Sequence, residues 1–303
     1  MDLQSKIILL SGPTASGKSN FAVKLAKKIK GEIVNVDSMQ VYKELKILTA
    51  RPNIKEKKKI KHHLYGFISV KNKFSTGQWL KLASKKIVEI RKKKKIPILV
   101  GGTGLYFKAF TEGLVKIPNI PNKFRDEIRS LQKKIGQKKF YKKLIKIDPL
   151  IKNQINENDV QRSLRAYEIK KYTSKSMTVW FQKTKALFDE KVFIKIYIEF
   201  PRDELVKRIN ARVDRMFKEG AIQEVKKFKK IKIKRENSAN KVIGIEEIKK
   251  YLDNKITLEQ TKEQIAIKSR QYAKRQSTWA RGQMMSWERI EPRNLNSALK
   301  KFN

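Results

Sequence analysis

The sequence predicts an α/β fold, a parallel sheet flanked by helices and interrupted by an all-helical insertion. Three observations predict it. Short apolar runs at 7–10, 32–36 and 96–100 each end in a turn of small or polar residues. A helical repeat lies between the first two of them. From about residue 115 to 190 the pattern turns helical and basic, and a further apolar run follows at 192–200. Strand, helix, strand in this order favours parallel pairing, because a crossover must carry the chain back to the same end of the sheet.

The elements follow in order. Ile7-Ile8-Leu9-Leu10 is stopped by Ser11-Gly12-Pro13 and reads as a buried strand. Between Lys18 and Ile29 the apolar positions Phe21, Val23, Leu25, Ala26 and Ile29 recur at helical spacing, with Gly31 placed as the helix end. Glu32 to Val36 forms a second strand ending at Asp37, and Ile96 to Val100 a third, followed by Gly101-Gly102-Thr103-Gly104. Pro118 and Pro121 punctuate a linker after residue 114. The run from Val192 to Phe200 alternates only in part, as a central strand would, and Pro201 ends it. Residues 202–285 contain no proline and read as helices. The expected organisation is an α/β core of 1–114 and 191–303 with a helical insertion at 115–190. There is no internal repeat, and the lysine runs at 57–59 and 92–95 read as solvated faces or loops.

Composition narrows the class. Of 303 residues 40% are hydrophobic, enough for a real core, so a wholly disordered chain is excluded. Lys plus Arg number 73 against 29 Asp plus Glu, a net charge of +44, which points to an anionic partner such as nucleic acid. Because 57 of the 73 are Lys in a chain also rich in Ile and Asn, about half of the excess is ascribed to compositional bias. Without cysteine there are no disulfides, thiolate nucleophiles or Cys-ligated metals. The polar N-terminus leads into only four apolar residues, too few for a signal peptide, and no apolar run approaches the ~18 residues of a membrane span. A soluble cytoplasmic protein without membrane association, working as a monomer, is expected.

Gly12-Pro13-Thr14-Ala15-Ser16-Gly17-Lys18-Ser19 fits G-x-x-x-x-G-K-[ST] between a strand and a helix, the context that a phosphate-binding P-loop needs. Its glycines let backbone N–H groups converge on phosphate oxygens at a helix N-terminus. Lys18 supplies a point charge, and the Ser19 hydroxyl can ligate Mg²⁺. The fold is therefore expected to be like that of P-loop nucleotide-binding proteins. Asp37, opening Asp37-Ser38-Met39-Gln40-Val41-Tyr42, stands at the C-terminal end of the next strand, where it could hold Mg²⁺ or accept a proton. Thr103 offers a hydroxyl at the same edge, and alone it equally fits a helix N-cap. His62-His63, with no clustered carboxylate or Cys beside them, do not read as a metal site. These motifs leave three readings open: an ATP-binding kinase or NTPase, another transferase, and a basic RNA-binding protein that uses the fold as a scaffold.

Together the loop with Pro13-Thr14-Ala15, the Asp37–Tyr42 segment and Gly101-Gly102-Thr103-Gly104-Leu105-Tyr106-Phe107-Lys108-Ala109 resemble the tRNA dimethylallyltransferase (tRNA isopentenyltransferase) family. Further matches follow in order: Phe74-Ser75, Ile147-Asp148-Pro149, Asn158-Asp159-Val160-Gln161-Arg162 with Arg165, Arg212 with Met216 and Gly220, and Ala273-Lys274-Arg275-Gln276-Ser277-Thr278-Trp279. The resemblance runs from residue 12 to about 282. It implies an Mg²⁺-dependent transfer from dimethylallyl diphosphate to N6 of the adenine 3′-adjacent to the anticodon. Residues 12–19 would bind the diphosphate, with Asp37 as base, Arg212 stabilising the leaving group and Thr103 holding base or diphosphate. The tRNA anticodon stem-loop would be met by Asp37, Ser38, Met39, Gln40 and Thr103, by Arg125, Gln161, Arg162, Ser163, Leu164 and Arg165 in the insertion, and by Lys274, Arg275 and Gln276. The chain departs from the family pattern at Ser19 in place of Thr, in 45–52, which lacks a glycine before Thr49, in 240–247, and at Asn156-Glu157, where His-Pro is usual.

Overall fold

The computed structural model describes residues 3–52, 60–182, 184–234 and 237–302. The lysine run at 57–59 lies outside them. The chain divides into two compact units, residues 1–109 with 188–303, and residues 110–187. The sequence had placed these breaks at 114/115 and 190/191.

The first unit is built on a six-stranded sheet. In chain order its strands are β1 (Ile7–Ser11), β2 (Gly31–Val36), β3 (His62–His63), β4 (Ile96–Gly101), β5 (Phe193–Ile198) and β6 (Glu288–Ile290). They lie in the order β3-β2-β4-β1-β5-β6, every pair parallel. β1, β2 and β4 are buried throughout, which explains why they read as unbroken apolar runs: both faces are covered, so no alternation is needed. Helix α1 (Lys18–Lys28) covers one face, packing Phe21, Ala22, Leu25 and Ala26 on Ile8, Leu10, Ile33, Ile98 and Ile196. Helix α2 (Thr76–Lys92) opens with a Ser75/Gln78 capping box and packs against β2 and β4, its Trp79 indole donating to the Asn35 carbonyl at 2.8 Å. Trp79 stacks on Tyr106 of α3 (Gly104–Thr111), ring centroids 4.4 Å apart.

Two expectations change here. Gly31 does not end α1. The left-handed residue is Lys30 (φ 53°), and Gly31 opens β2, where a Cβ would stand 2.8 Å from Ile98 Cδ1 and 3.0 Å from the Ile96 carbonyl. Lys95, at the end of the 92–95 run, is not simply solvated. Its Nζ pairs at 2.8 Å with Glu32, a buried carboxylate that also meets His63 Nε2 at 2.7 Å. Burial lowers the His63 pKa while Glu32 opposes that shift.

The second unit is helical: α4 (Asn122–Ile135), α5 (Gln137–Ile147), α6 (Val160–Thr173) and α7 (Met177–Gln182), with no strand among its described residues. Its core gathers Ile128, Phe140, Leu144, Ile151, Tyr167 and Ile169. The first unit resumes after β5 with α8 (Arg202–Lys218), α9 (Ala221–Lys229), α10 (Ile245–Leu252), the long α11 (Leu258–Gln283) and, after β6, α12 (Leu295–Lys300). Among the described residues no helix is long and apolar enough to cross a membrane.

Candidate active site

The C-terminal ends of β1, β2 and β4 converge because the chain is kept bare where they meet. A Cβ on Gly101 would stand 2.0 Å from the Val36 carbonyl, so only glycine lets the turn after β4 lie against the end of β2. That contact sets Thr103 beside Asp37 and Ser38. The Thr103 N–H donates to the Val36 carbonyl at 3.1 Å, and its Oγ1 accepts the Ser38 N–H at 3.1 Å. The Thr103 carbonyl also accepts the Tyr106 N–H, so the residue opens α3 as well as facing the site.

Residues 12–19 form the turn from β1 into α1. Ala15 and Gly17 take left-handed conformations (φ 64° and 85°), and α1 begins without a side-chain cap, leaving its first N–H groups to an anion. The Lys18 Nζ folds back to the Pro13 carbonyl at 3.0 Å. Its pKa is pushed down to about 8, chiefly by burial and further by Arg212, with Asp37 acting in the opposite sense. Ser16 Oγ is buried and has no hydrogen-bond partner in the cradle, whereas Ser19 is exposed at the start of α1. From α8, Arg212 Nη1 donates to Thr14 Oγ1 at 2.8 Å and Arg208 Nε to the Ala15 carbonyl at 2.7 Å. Burial lowers the Arg212 pKa and Asp37 again opposes the shift.

One Asp37 oxygen, Oδ1, accepts the Met39 and Gln40 N–H groups at 2.8 and 3.2 Å, fixing the carboxylate at the strand end by an Asx-type turn. Asp37, Thr14 and Arg212 line a cavity of about 280 Å³, together with Leu48, Val213, Met216, Val242 and Ile243 and with Lys241 and Arg275. A second, larger cavity of about 780 Å³ shares Arg212 and Met216 with it and is lined by Arg51, Arg208 and Arg215. Both segments in which the sequence departs from the family pattern, 45–52 and 240–247, contribute to the walls of the smaller cavity through Leu48, Thr49, Lys241, Val242 and Ile243.

Sequence reasoning gave no site role to Arg208 and took Tyr272 only as a packing or stacking residue beside 274–276. Tyr272 lines the cavity, and burial with the Asp37 charge raises its pKa. It lies four residues before Gln276 and seven before Trp279, one face of α11, and that spacing was readable. Arg208 likewise precedes Arg212 by one turn.

Several of the residues expected to meet RNA have partners within the chain. Gln40 Nε2 donates to the Thr49 and Ala50 carbonyls, and the Gln276 amide lies between Thr14 and Gly102. Within the second unit, Ser163 is fully buried with Gln137 donating to its Oγ at 3.2 Å, and Leu164 packs on the core. Ser163 belongs to the inner face of α6, and Leu164 beside it is half-buried. Gln161 and Arg162 are exposed, with Arg162 3.5 Å from the N-cap Asp159. Arg125 and Arg165 turn to the same buried Glu168, at 3.8 and 3.4 Å. In the first unit Lys274 and Arg275 are exposed on α11.

A P-loop with its lysine, an arginine from α8 and a fixed carboxylate beside a largely apolar-walled cavity suits group transfer from a diphosphate carrying an apolar substituent. Comparison with known proteins agrees. The family model for IPP transferase matches residues 40–283. The tRNA dimethylallyltransferase of Pelagibacter ubique is 63% identical over 302 residues, covering 100% of this chain and 96% of that one. The crystal structure of the full-length tRNA isopentenylpyrophosphate transferase from Bacillus halodurans superposes with a TM-score of 0.69 at 33% identity, over 98% of this chain and 95% of that one. A eukaryotic dimethylallyltransferase acting on tRNA gives 0.82 at 29% identity, over 94% and 73%. Loop, carboxylate, cavity and relatives converge, and the chain belongs to the tRNA dimethylallyltransferase family.

Proposed function

We propose that the protein transfers the dimethylallyl group of dimethylallyl diphosphate to N6 of the adenine 3′-adjacent to the anticodon in tRNA. The observation that carries this reading is that the fixed Asp37 carboxylate, Thr14 of the phosphate loop and Arg212 line one largely apolar-walled cavity. An adenine N6 amine is a weak nucleophile because its lone pair is delocalised into the ring. As the N6–C1 bond forms, the free Asp37 oxygen accepts the N6 proton. The allylic C1–O bond breaks with its electron pair leaving on the diphosphate, where Lys18, Arg212 and the α1 N–H groups meet the growing charge. Thr103, held by Ser38, orients the base or the diphosphate at the reacting carbon. The exposed Ser19 hydroxyl next to Lys18 would hold an Mg²⁺, which would supply further charge neutralisation there.

The adenine has to leave the anticodon-loop stack to reach Asp37. In the first unit Lys274 and Arg275 of α11 are exposed and available to RNA phosphate; in the second, Gln161 and Arg162 are exposed, and Arg125 and Arg165, paired with Glu168, are further phosphate-contact candidates. The protein works as a monomer in the cytoplasm. The test is mass spectrometry of nucleosides from unmodified tRNA incubated with the protein, Mg²⁺ and dimethylallyl diphosphate. One adenosine gains a dimethylallyl group. Asp37→Asn lowers the transfer rate by about 10²–10⁴ with RNA affinity kept. ATP turnover without the allylic donor, and no transfer, would replace this reading with a kinase or NTPase.

A further inference from the structure

Gln276 stands in a segment whose resemblance marks it for RNA, yet its side chain faces the phosphate loop. Its Oε1 accepts the Thr14 N–H at 2.8 Å, and its Nε2 donates to the Gly102 carbonyl at 3.0 Å. Position 102 is bare to admit it: a Cβ there would stand 2.0 Å from Nε2. Three residues later the Trp279 indole occupies the corresponding space over Gly104, where a Cβ would come within 2.1 Å of Nε1. One face of α11 is thus laid along the 102–104 turn, while Lys274 and Arg275 stand exposed. Thr14 is held twice, its N–H by Gln276 and its hydroxyl by Arg212. Both polar ends of the Gln276 amide are therefore engaged with backbone.

We infer that Gln276 is a positioning residue of the donor site: it ties the phosphate loop to the turn that carries Thr103, and so fixes where the diphosphate lies relative to Asp37. This rests on the transfer reaction proposed above. Gln is suited to the task because one planar amide offers an acceptor and a donor to two separate backbone segments. The contact also removes the Thr14 N–H from the set that can meet phosphate, so the loop's shape is set at its first half by protein and its second half is left to the ligand.

Two variants displace the amide from opposite sides: Gln276→Met keeps the length and removes both hydrogen bonds, and Gly102→Ala drives a methyl group into the amide without altering residue 276. For each, titration calorimetry gives the affinity for inorganic diphosphate, filter binding that for an unmodified anticodon stem-loop, and steady-state kinetics the donor KM. In both variants the diphosphate Kd and the donor KM rise about tenfold, as loss of one or two backbone hydrogen bonds at a site requires, and the RNA Kd stays within about twofold. The unchanged RNA Kd also reports that the fold is intact. An unchanged diphosphate Kd, or an RNA Kd that rises more than the diphosphate Kd, would overturn the inference and return Gln276 to RNA contact. Absence of transfer by the unaltered protein would instead count against the proposed function, and diphosphate binding alone would still judge the brace.

Discussion

Lys18 holds a charge where charge is disfavoured, and this has a measurable consequence without any ligand. Its pKa is pushed down to about 8 from 10.5 by burial and by Arg212. Below pH 8 the lysine is protonated in both folded and unfolded chains, and the folded state carries the full penalty. Between 8 and 10.5 the unfolded chain binds more protons than the folded one, so this contribution to stability improves as pH rises. Lys18→Met therefore raises the melting temperature of the ligand-free protein at pH 7, and the gain shrinks to nothing towards pH 10.5. Calorimetry across that range checks it, and a variant no more stable than the parent at pH 7 would remove the argument. The same variant loses diphosphate affinity, since a bound polyanion is what repays the buried cation. At this scale the motif residues were legible and their partners were not. Lys18, Asp37, Thr103 and Arg212 stand out by type and spacing, whereas Gly101, Gly102 and Gly104 looked like turn glycines. Their reasons are the Val36 carbonyl, Gln276 and Trp279, two of them more than 170 residues away in sequence.

The elements around the site are fixed by a few buried polar contacts. Glu224 of α9 accepts the N–H groups of Lys46, Ile47 and Leu48 at 2.7–3.1 Å, holding the turn that brings Leu48 to the cavity wall. Hydrogen bonds to a charged acceptor are worth more than neutral ones, and truncation leaves three donors without a partner, so Glu224→Ala destabilises the protein by about 3 kcal/mol. Urea unfolding measures this as a lower midpoint at constant slope. A change under about 0.5 kcal/mol would mean that the turn sustains itself. The four longer strands were readable because parallel strands buried on both faces leave continuous apolar runs. β3 and β6, of two and three residues, carry no periodicity and are set by the sheet edges they complete. On α6 the inward face of Ser163 and Leu164 was hidden behind the Gln-Arg-x-x-Arg pattern, although the apolar residues Ala166, Tyr167 and Ile169 that follow mark the same buried side.

For the whole molecule the question is how much of the +44 meets phosphate. Composition alone could not separate a binding face from lysine bias, and local pairing now gives a partial answer. Arg125 and Arg165 share the buried Glu168, so that pair of guanidinium groups presents a single net positive charge. Arg162 is 61% exposed beside a partly exposed N-cap carboxylate, and Lys274 and Arg275 stand in the open. If RNA is bound through such groups, log affinity falls linearly with log salt by about 0.7 per phosphate neutralised in single-stranded regions. Arg162→Ala should reduce that slope by about 0.7 and weaken different anticodon loops alike, because a phosphate contact carries no sequence information. Arg165→Ala should do something different. It leaves Glu168 with a single cation 3.8 Å away and lowers the melting temperature as well as RNA affinity. Filter binding between 50 and 300 mM salt, paired with thermal melts, distinguishes the two. A slope near zero for the parent protein would assign the charge to composition, and equal melting losses in both variants would mean that Arg162, too, serves the fold.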